Sequence, residues 1–157
     1  MAKRFIILDG SSLFFRAFYA IRSLTDAKGR PTNAVFGFSN MLTKIVKDLN
    51  PDLMALAFDK SRTTFRTKRY AAYKGTRDKT PEDLLFQIPL LREYTECFGI
   101  PFLECDNYEA DDIIGTLATQ AAKQGCDVIV ITRRFAAHSS ESSCLLDDEG
   151  HYRACRV

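Results

Sequence analysis

The chain has 157 residues, 46% of them apolar, which is enough to bury one sizeable core, so a single domain is expected rather than two. The net charge of +2 excludes a uniformly basic or acidic chain, so any polyanion contact must come from uneven spacing of charge along the sequence. No apolar run approaches membrane-spanning length, and the short run behind Met1-Ala2-Lys3-Arg4 is too brief for a signal peptide, so a cytoplasmic protein is expected.

Phe5 to Leu8 is a continuous apolar run ending in Asp9-Gly10-Ser11-Ser12, the pattern of a buried strand that turns into a helix, here Leu13 to Ile21. A loop with Lys28-Gly29-Arg30 at its tip follows. Thr32 then caps a helix whose buried positions are Phe38, Met41, Leu42, Ile45, Val46 and Leu49, and Pro51 ends it. Leu53 to Phe58 is a second apolar strand, again followed by an acid, Asp59. Lys60 to Lys79 breaks the rhythm with Lys60, Arg62, Arg66, Lys68, Arg69, Lys74, Arg77 and Lys79 against the one acid Asp78. Thr80-Pro81-Glu82-Asp83 reads as the next helix start, with Thr80 as N-cap, Pro81 at the first helical position and Asp83 reaching back. Leu84, Ile88, Leu91 and Phe98 mark its buried face and Gly99 closes it. Ile100 to Leu103 is a third strand. Ala110 to Gln124 is a helix packing through Ile113, Ile114, Leu117 and Ala121, closed by Gly125, and Val128 to Ile131 is a fourth strand. From Thr132 onward neither helical nor strand period persists, so 133–157 is expected to be a poorly ordered tail. His138, Cys144, His151 and Cys155 lack the knuckle spacing of a zinc set, and the five cysteines are odd in number with no C-x-x-C, which favours reduced thiols in the core.

Strands without alternation, separated by helices, imply an α/β fold with a parallel sheet covered on both faces, in which ligands bind beyond the carboxyl ends of the strands. Asp9 and Asp59 follow the first two strands, and Tyr108-Glu109-Ala110-Asp111-Asp112 lies just past the third, so all five acids fall on one rim. A solvated, over-capped helix start accounts for the last group by itself. A site for a hard cation such as Mg²⁺ or Mn²⁺ accounts for the recurrence after three strands. The basic segment, with Phe65, Tyr70 and Tyr73 interleaved, suits phosphate contacts and stacking on unpaired bases, although charge runs are often merely solvated.

Asp9-Gly10-Ser11-Ser12, Lys28-Gly29-Arg30-Pro31-Thr32-Asn33-Ala34-Val35-Phe36-Gly37-Phe38, Phe58-Asp59, Thr64-Phe65-Arg66, Tyr73-Lys74-Gly75-Thr76-Arg77 and Tyr108-Glu109-Ala110-Asp111-Asp112 together resemble the N-terminal 5′ nuclease domains of bacterial DNA polymerase I, over about residues 1–132. The resemblance implies a PIN-like three-layer α/β fold of the flap-endonuclease superfamily, with a mostly parallel central sheet and a basic helical arch. It implies two-metal hydrolysis of DNA bearing a free 5′ end or 5′ flap, with Mg²⁺ or Mn²⁺ as cofactor. Asp9, Asp59, Glu109, Asp111 and Asp112 would be the metal acids, with Tyr73, Lys74 and Arg77 at the scissile phosphate. Lys28, Arg30, Arg62, Arg66, Lys68, Arg69 and Tyr70, with Lys74 and Arg77, would contact DNA.

The match stops after the fourth strand. The family continues there with a Gly-Asp-x-Asp segment that supplies further acids, whereas this chain continues with Arg133-Arg134. The codons for Arg133 to Ala137 can be chosen so that the next reading frame gives Gly-Asp, so residues 133–157 are expected to be an aberrant, frameshifted tail. The second metal site is then expected to be incomplete and the chain a poor nuclease. A non-catalytic nucleic-acid-binding fragment is the alternative. A receiver-type phosphorylation domain also gathers acids on a rim, but it has no use for the basic segment.

Overall fold

The computed structural model describes residues 2–60, 69, 79–132, 144–146 and 152–153. Strand β1 (Arg4–Asp9) runs through the middle of the sheet, with β2 (Leu53–Ala57) on one side and β4 (Asp127–Thr132) on the other, both parallel to it. β3 (Phe102–Leu103) adds in parallel to β2, and the short strands β5 (Cys144–Leu146) and β6 (Tyr152–Arg153) extend the far edge, giving the order β3-β2-β1-β4-β5-β6. β5 is parallel to β4 and β6 antiparallel to β5, so the sheet is mostly parallel, as expected. Strands of three and two residues carry no readable period, which is why the sequence does not announce β5 and β6.

Among the described residues four helices cover the sheet: α1 (Gly10–Ala20), α2 (Asn33–Leu49), α3 (Glu82–Cys97) and α4 (Ala110–Lys123). Successive strand residues point to opposite faces, so Ile6 and Leu8 of β1 join Phe14, Phe38, Leu42, Leu84 and Leu91 in the core beneath α1, α2 and α3. Ile7, between them, faces Ala110, Ile114, Ala118 and Ala121 of α4 on the other side. The result is three layers with two cores. Phe14 occupies the centre of the larger one, edge-on to Phe38 and to Phe58, with ring centroids 6.3 Å apart in each case. Among the described residues no helix is long and apolar enough to cross a membrane.

The strand-to-helix turn is tighter than expected, because α1 begins at Gly10 directly after β1. A methyl group on Gly10 would stand 2.8 Å from the Leu56 side chain and 2.9 Å from the Ala57 carbonyl oxygen, and the backbone oxygen cannot move aside. Other boundaries shift for local reasons. α2 ends at Asn50, which adopts a left-handed conformation at φ 42°, rather than at Pro51. α3 starts at Glu82 with Pro81, one residue later than Thr80, at the N-cap position, and Glu82 and Asp83 supply acids to its first turn. Phe98 is 58% exposed, stacked on Tyr94 beyond the helix end rather than buried. The cysteines that lie within the described helices and loops are not core residues either: Cys97 and Cys105 are exposed and Cys126 half-buried.

Candidate active site

The carboxyl ends of β1, β2 and β4 and the start of α4 meet at one rim, and hydrogen bonds tie them together there. Asp9 ends β1 and caps α1. Its Oδ1 accepts from the Ser12 N–H at 3.0 Å and its Oδ2 accepts from the Thr132 hydroxyl at 2.6 Å, across the sheet from the end of β4. Asp59, just past β2, donates its own N–H to Ser11 Oγ at 2.9 Å and accepts from the Ala110 N–H through Oδ1 at 2.8 Å. The three loop ends are thereby stitched in series, Ser11 to Asp59 and Asp59 to the first residue of α4. Glu109 is the N-cap of α4 and pairs with Asp112 in a capping box, the Glu109 N–H donating to Asp112 Oδ2 at 3.0 Å.

Asp9 and Glu109 are each only 4% exposed. Asp9 holds two neutral donors and has no ion pair among the described residues, an arrangement that leaves a buried carboxylate short of positive charge. Asp111 and Asp112 sit further out, at the head of an open groove of about 490 Å³ that follows the outer face of α4 to Lys123. Among the described residues no three His, Cys, Asp or Glu side chains close around a common point. All five acids expected from the sequence therefore reach the same rim, in a spread arrangement rather than a closed cage.

Beside the rim, Lys60 bonds Asp106 at 2.8 Å, which holds its ammonium above the usual lysine range and fixes the root of the basic segment to the loop ahead of Glu109. Arg62, Arg66, Lys68, Tyr70, Tyr73, Lys74 and Arg77, and with them the helical arch, lie outside the described residues, while Arg69 is exposed. On the loop before α2, Asp26 accepts from the backbone N–H groups of Lys28 and Arg30, and its second oxygen binds the Arg30 guanidinium. These bonds, led by those from Arg30, hold the Asp26 carboxyl below its ordinary value. The clasp is thus fully formed at neutral pH and is lost only as pH falls through that lowered value. Arg30 is consequently a staple of its own loop, and both it and Lys28 are exposed to solvent.

Two contributors escaped the sequence reading. Ser11 and Thr132 were visible only as a turn residue and as the polar end of an apolar strand, and neither position signals a partner on another element.

The sequence matches the family model of the 5′-3′ exonuclease N-terminal resolvase-like domain over residues 4–134. It is 49% identical over 132 residues to DNA polymerase I of Bacillus caldotenax, covering 84% of this chain and 15% of that protein. It is 46% identical over 130 residues to the DNA polymerase I of Bacillus subtilis, covering 83% and 15%. The chain thus spans about 15% of the length of these curated relatives. Among solved structures, the bacteriophage T5 D15 protein co-crystallised with metal ions superposes with a TM-score of 0.68 at 18% identity, over 96% of this chain and 57% of that one. The catalytic core of Rad2 in complex with DNA substrate gives 0.55 at 16% identity, over 99% and 47%. These two likenesses carry the fold alone, a PIN-like α/β sheet covered by helices. On the family model and the close relatives alike, the chain belongs to the 5′-3′ exonuclease N-terminal, resolvase-like domain family.

Proposed function

We propose that this chain is the nuclease portion of a DNA polymerase I, a divalent-cation-dependent 5′-3′ exonuclease and flap endonuclease acting on DNA with a free 5′ end or 5′ flap. The observation that carries the reading is the convergence of the strand ends. Asp9, Asp59 and the Glu109 cluster come from three separate parts of the chain to one rim, and the more buried of the strand-end acids, Asp9, has only neutral donors among the described residues. The donor set is all carboxylate oxygen, which suits Mg²⁺ or Mn²⁺. Its spread suits a hydrated ion held by one or two carboxylates with water and substrate phosphate, since Mg²⁺ gives up water reluctantly. When bound, such ions supply a hydroxide nucleophile and neutralise the oxygens of an in-line displacement.

In this reading Asp9 and Asp59 hold the inner side of the site, and Glu109, Asp111 and Asp112 the side nearer α4. Lys74 and Arg77, with Tyr73, steady the scissile phosphate, and Arg62, Arg66, Lys68, Arg69 and Tyr70 guide the 5′ strand. Lys28 adds a remote phosphate contact. Arg133-Arg134 follow β4 in the sequence where the family's pattern has acids, so cleavage is expected to be slow. The test is release of a labelled 5′ flap with Mg²⁺ and with a chelator. Slow, Mg²⁺-dependent release supports the nuclease reading. The second reading is a DNA-binding fragment, favoured by the spread of the acids among the described residues, and salt-dependent binding with no cleavage at any Mg²⁺ concentration would establish it.

Both readings share one expectation. Each phosphate contact releases counterions, so Lys74→Ala combined with Arg77→Ala should lower the slope of log affinity against log salt by roughly two. Titrations of a flap substrate at several salt concentrations measure this, and an unchanged slope would remove the basic segment from the interface.

A further inference from the structure

We propose that Thr132 is a positioning residue for cation binding, acting through Asp9; the proposal rests on the reading of the rim as a divalent-cation site. The β1–β4 register pairs Leu8 with Ile131, so Asp9 and Thr132 are the next residues along two adjacent parallel strands, with side chains on a common face. The Thr132 hydroxyl meets Asp9 Oδ2 at 2.6 Å, in the short range of an O–H···O⁻ bond. The Ser12 N–H takes the other oxygen. One donor on each oxygen fixes the plane of the Asp9 carboxylate, where either alone would leave it free to swing about that bond. Ser12 is the ordinary helix-cap partner of Asp9; Thr132 is not required by any cap and comes from the neighbouring strand β4, 123 residues along the chain. Thr132 is also β-branched, so its own rotamer is restricted and the hydroxyl is delivered without further ordering.

A carboxylate held in this way loses less freedom when a cation arrives, and partners of this kind commonly set affinity by about 10–100-fold. Thr132 therefore contributes to the site without touching the ion, as the last residue of β4 to bear on it.

The probe is Mn²⁺ alone, with affinity for the full 157-residue chain read from the electron paramagnetic resonance of the free ion. Thr132→Val, which replaces the hydroxyl by a methyl of similar size, should weaken binding by roughly tenfold. Thr132→Ser, which keeps the hydroxyl, should bind within about twofold of the natural chain, and Thr132→Ala should bind about tenfold more weakly than Thr132→Ser. The Ser and Ala variants share any effect of the missing methyl on the strand, so their difference reports the hydroxyl even if Val disturbs packing. Equal affinities of Val with the natural chain, or of Ala with Ser, overturn the positioning role. Failure of the underlying reading looks different: the natural chain then binds no Mn²⁺, or Asp9→Asn binds it as well as the natural chain does.

Discussion

Asp9→Asn is expected to abolish the stabilisation of this chain by Mn²⁺ while leaving its fold intact. Asparagine is as good an N-cap as aspartate, so its carbonyl oxygen can still accept from Ser12, and the amide can face Thr132 once that hydroxyl turns its proton away. What disappears is the charge. With both hydrogen bonds kept, the variant without metal should melt close to the temperature of the natural chain. With metal the two separate. Mn²⁺ at about a hundred times its dissociation constant adds about 2.7 kcal/mol to a protein that binds it only when folded. For a chain of this size that raises melting by roughly 5–10 °C, and Asp9→Asn should show no rise. Calorimetric melts of both proteins, with chelator and with Mn²⁺, give all four values. Equal rises in both would exclude Asp9 from the cation site. A large loss of stability in chelator would instead mean that the Asp9 charge itself stabilises the metal-free fold.

The two-sided coverage of the sheet was legible because Ile6, Ile7 and Leu8 are all apolar. A strand with water on one face would have alternated, so helices on both sides followed directly. The rim was legible because acids recur after strands, and chain topology then leaves them one place to meet. What the sequence could not convey is what those acids do when no cation is present. Asp9 and Glu109 are helix caps in the structure, and Asp59 bridges to Ala110, so the proposed ion binding would draw on the same oxygens as capping. The two explanations weighed for the Glu109 cluster are therefore compatible rather than exclusive. Contacts between distant segments were illegible for a general reason. Thr132 and Asp9 are 123 residues apart, and the residue types carry no mark of each other. Phe98 was misplaced because a helical period continued past the residue where the helix stops. Gly99, at φ 65°, had already marked that stop.

Gln87→Leu is expected to cost on the order of 3–5 kcal/mol of stability, as much as truncating a large core side chain. Gln87 is fully buried, and all of its hydrogen-bonding capacity near α2 and α3 is used. Its Oε1 accepts from the Ala34 N–H at 2.8 Å and the Val35 N–H at 3.3 Å, the free donors at the start of α2. The Thr32 side chain, expected to cap this helix, donates to the Leu24 carbonyl instead, so the cap comes from another helix 53 residues away. Gln87 Nε2 donates to Asn33 Oδ1 at 3.0 Å and to the Asp83 carbonyl at 2.9 Å, and Asn33 in turn donates to the carbonyls of Phe18 and Ile21 at the end of α1. One amide thus joins three helices, and it anchors α3 directly after the basic segment. Leucine has a similar volume, so little cavity forms. The loss is polar: two buried N–H groups and the Asn33 oxygen are stranded, at about 1–3 kcal/mol each with partial relief by relaxation. Melting should fall by roughly 10 °C, whereas Gln120→Leu on the exposed face of α4 should change stability by no more than about 0.5 kcal/mol. Gln87→Glu separates the two halves of the network. Its carboxylate can still cap α2, where the helix dipole favours it, but it faces the Asn33 and Asp83 oxygens without a proton to offer. Burial and those acceptors raise its folded pKa above the unfolded value of about 4.3, so the variant should lose stability as pH climbs from there toward neutrality, opposite to the behaviour of Asp26. A flat pH profile for Gln87→Glu, together with a Gln87→Leu melt close to that of Gln120→Leu, would mean that the apolar packing of α1, α2 and α3 holds them in place without the amide.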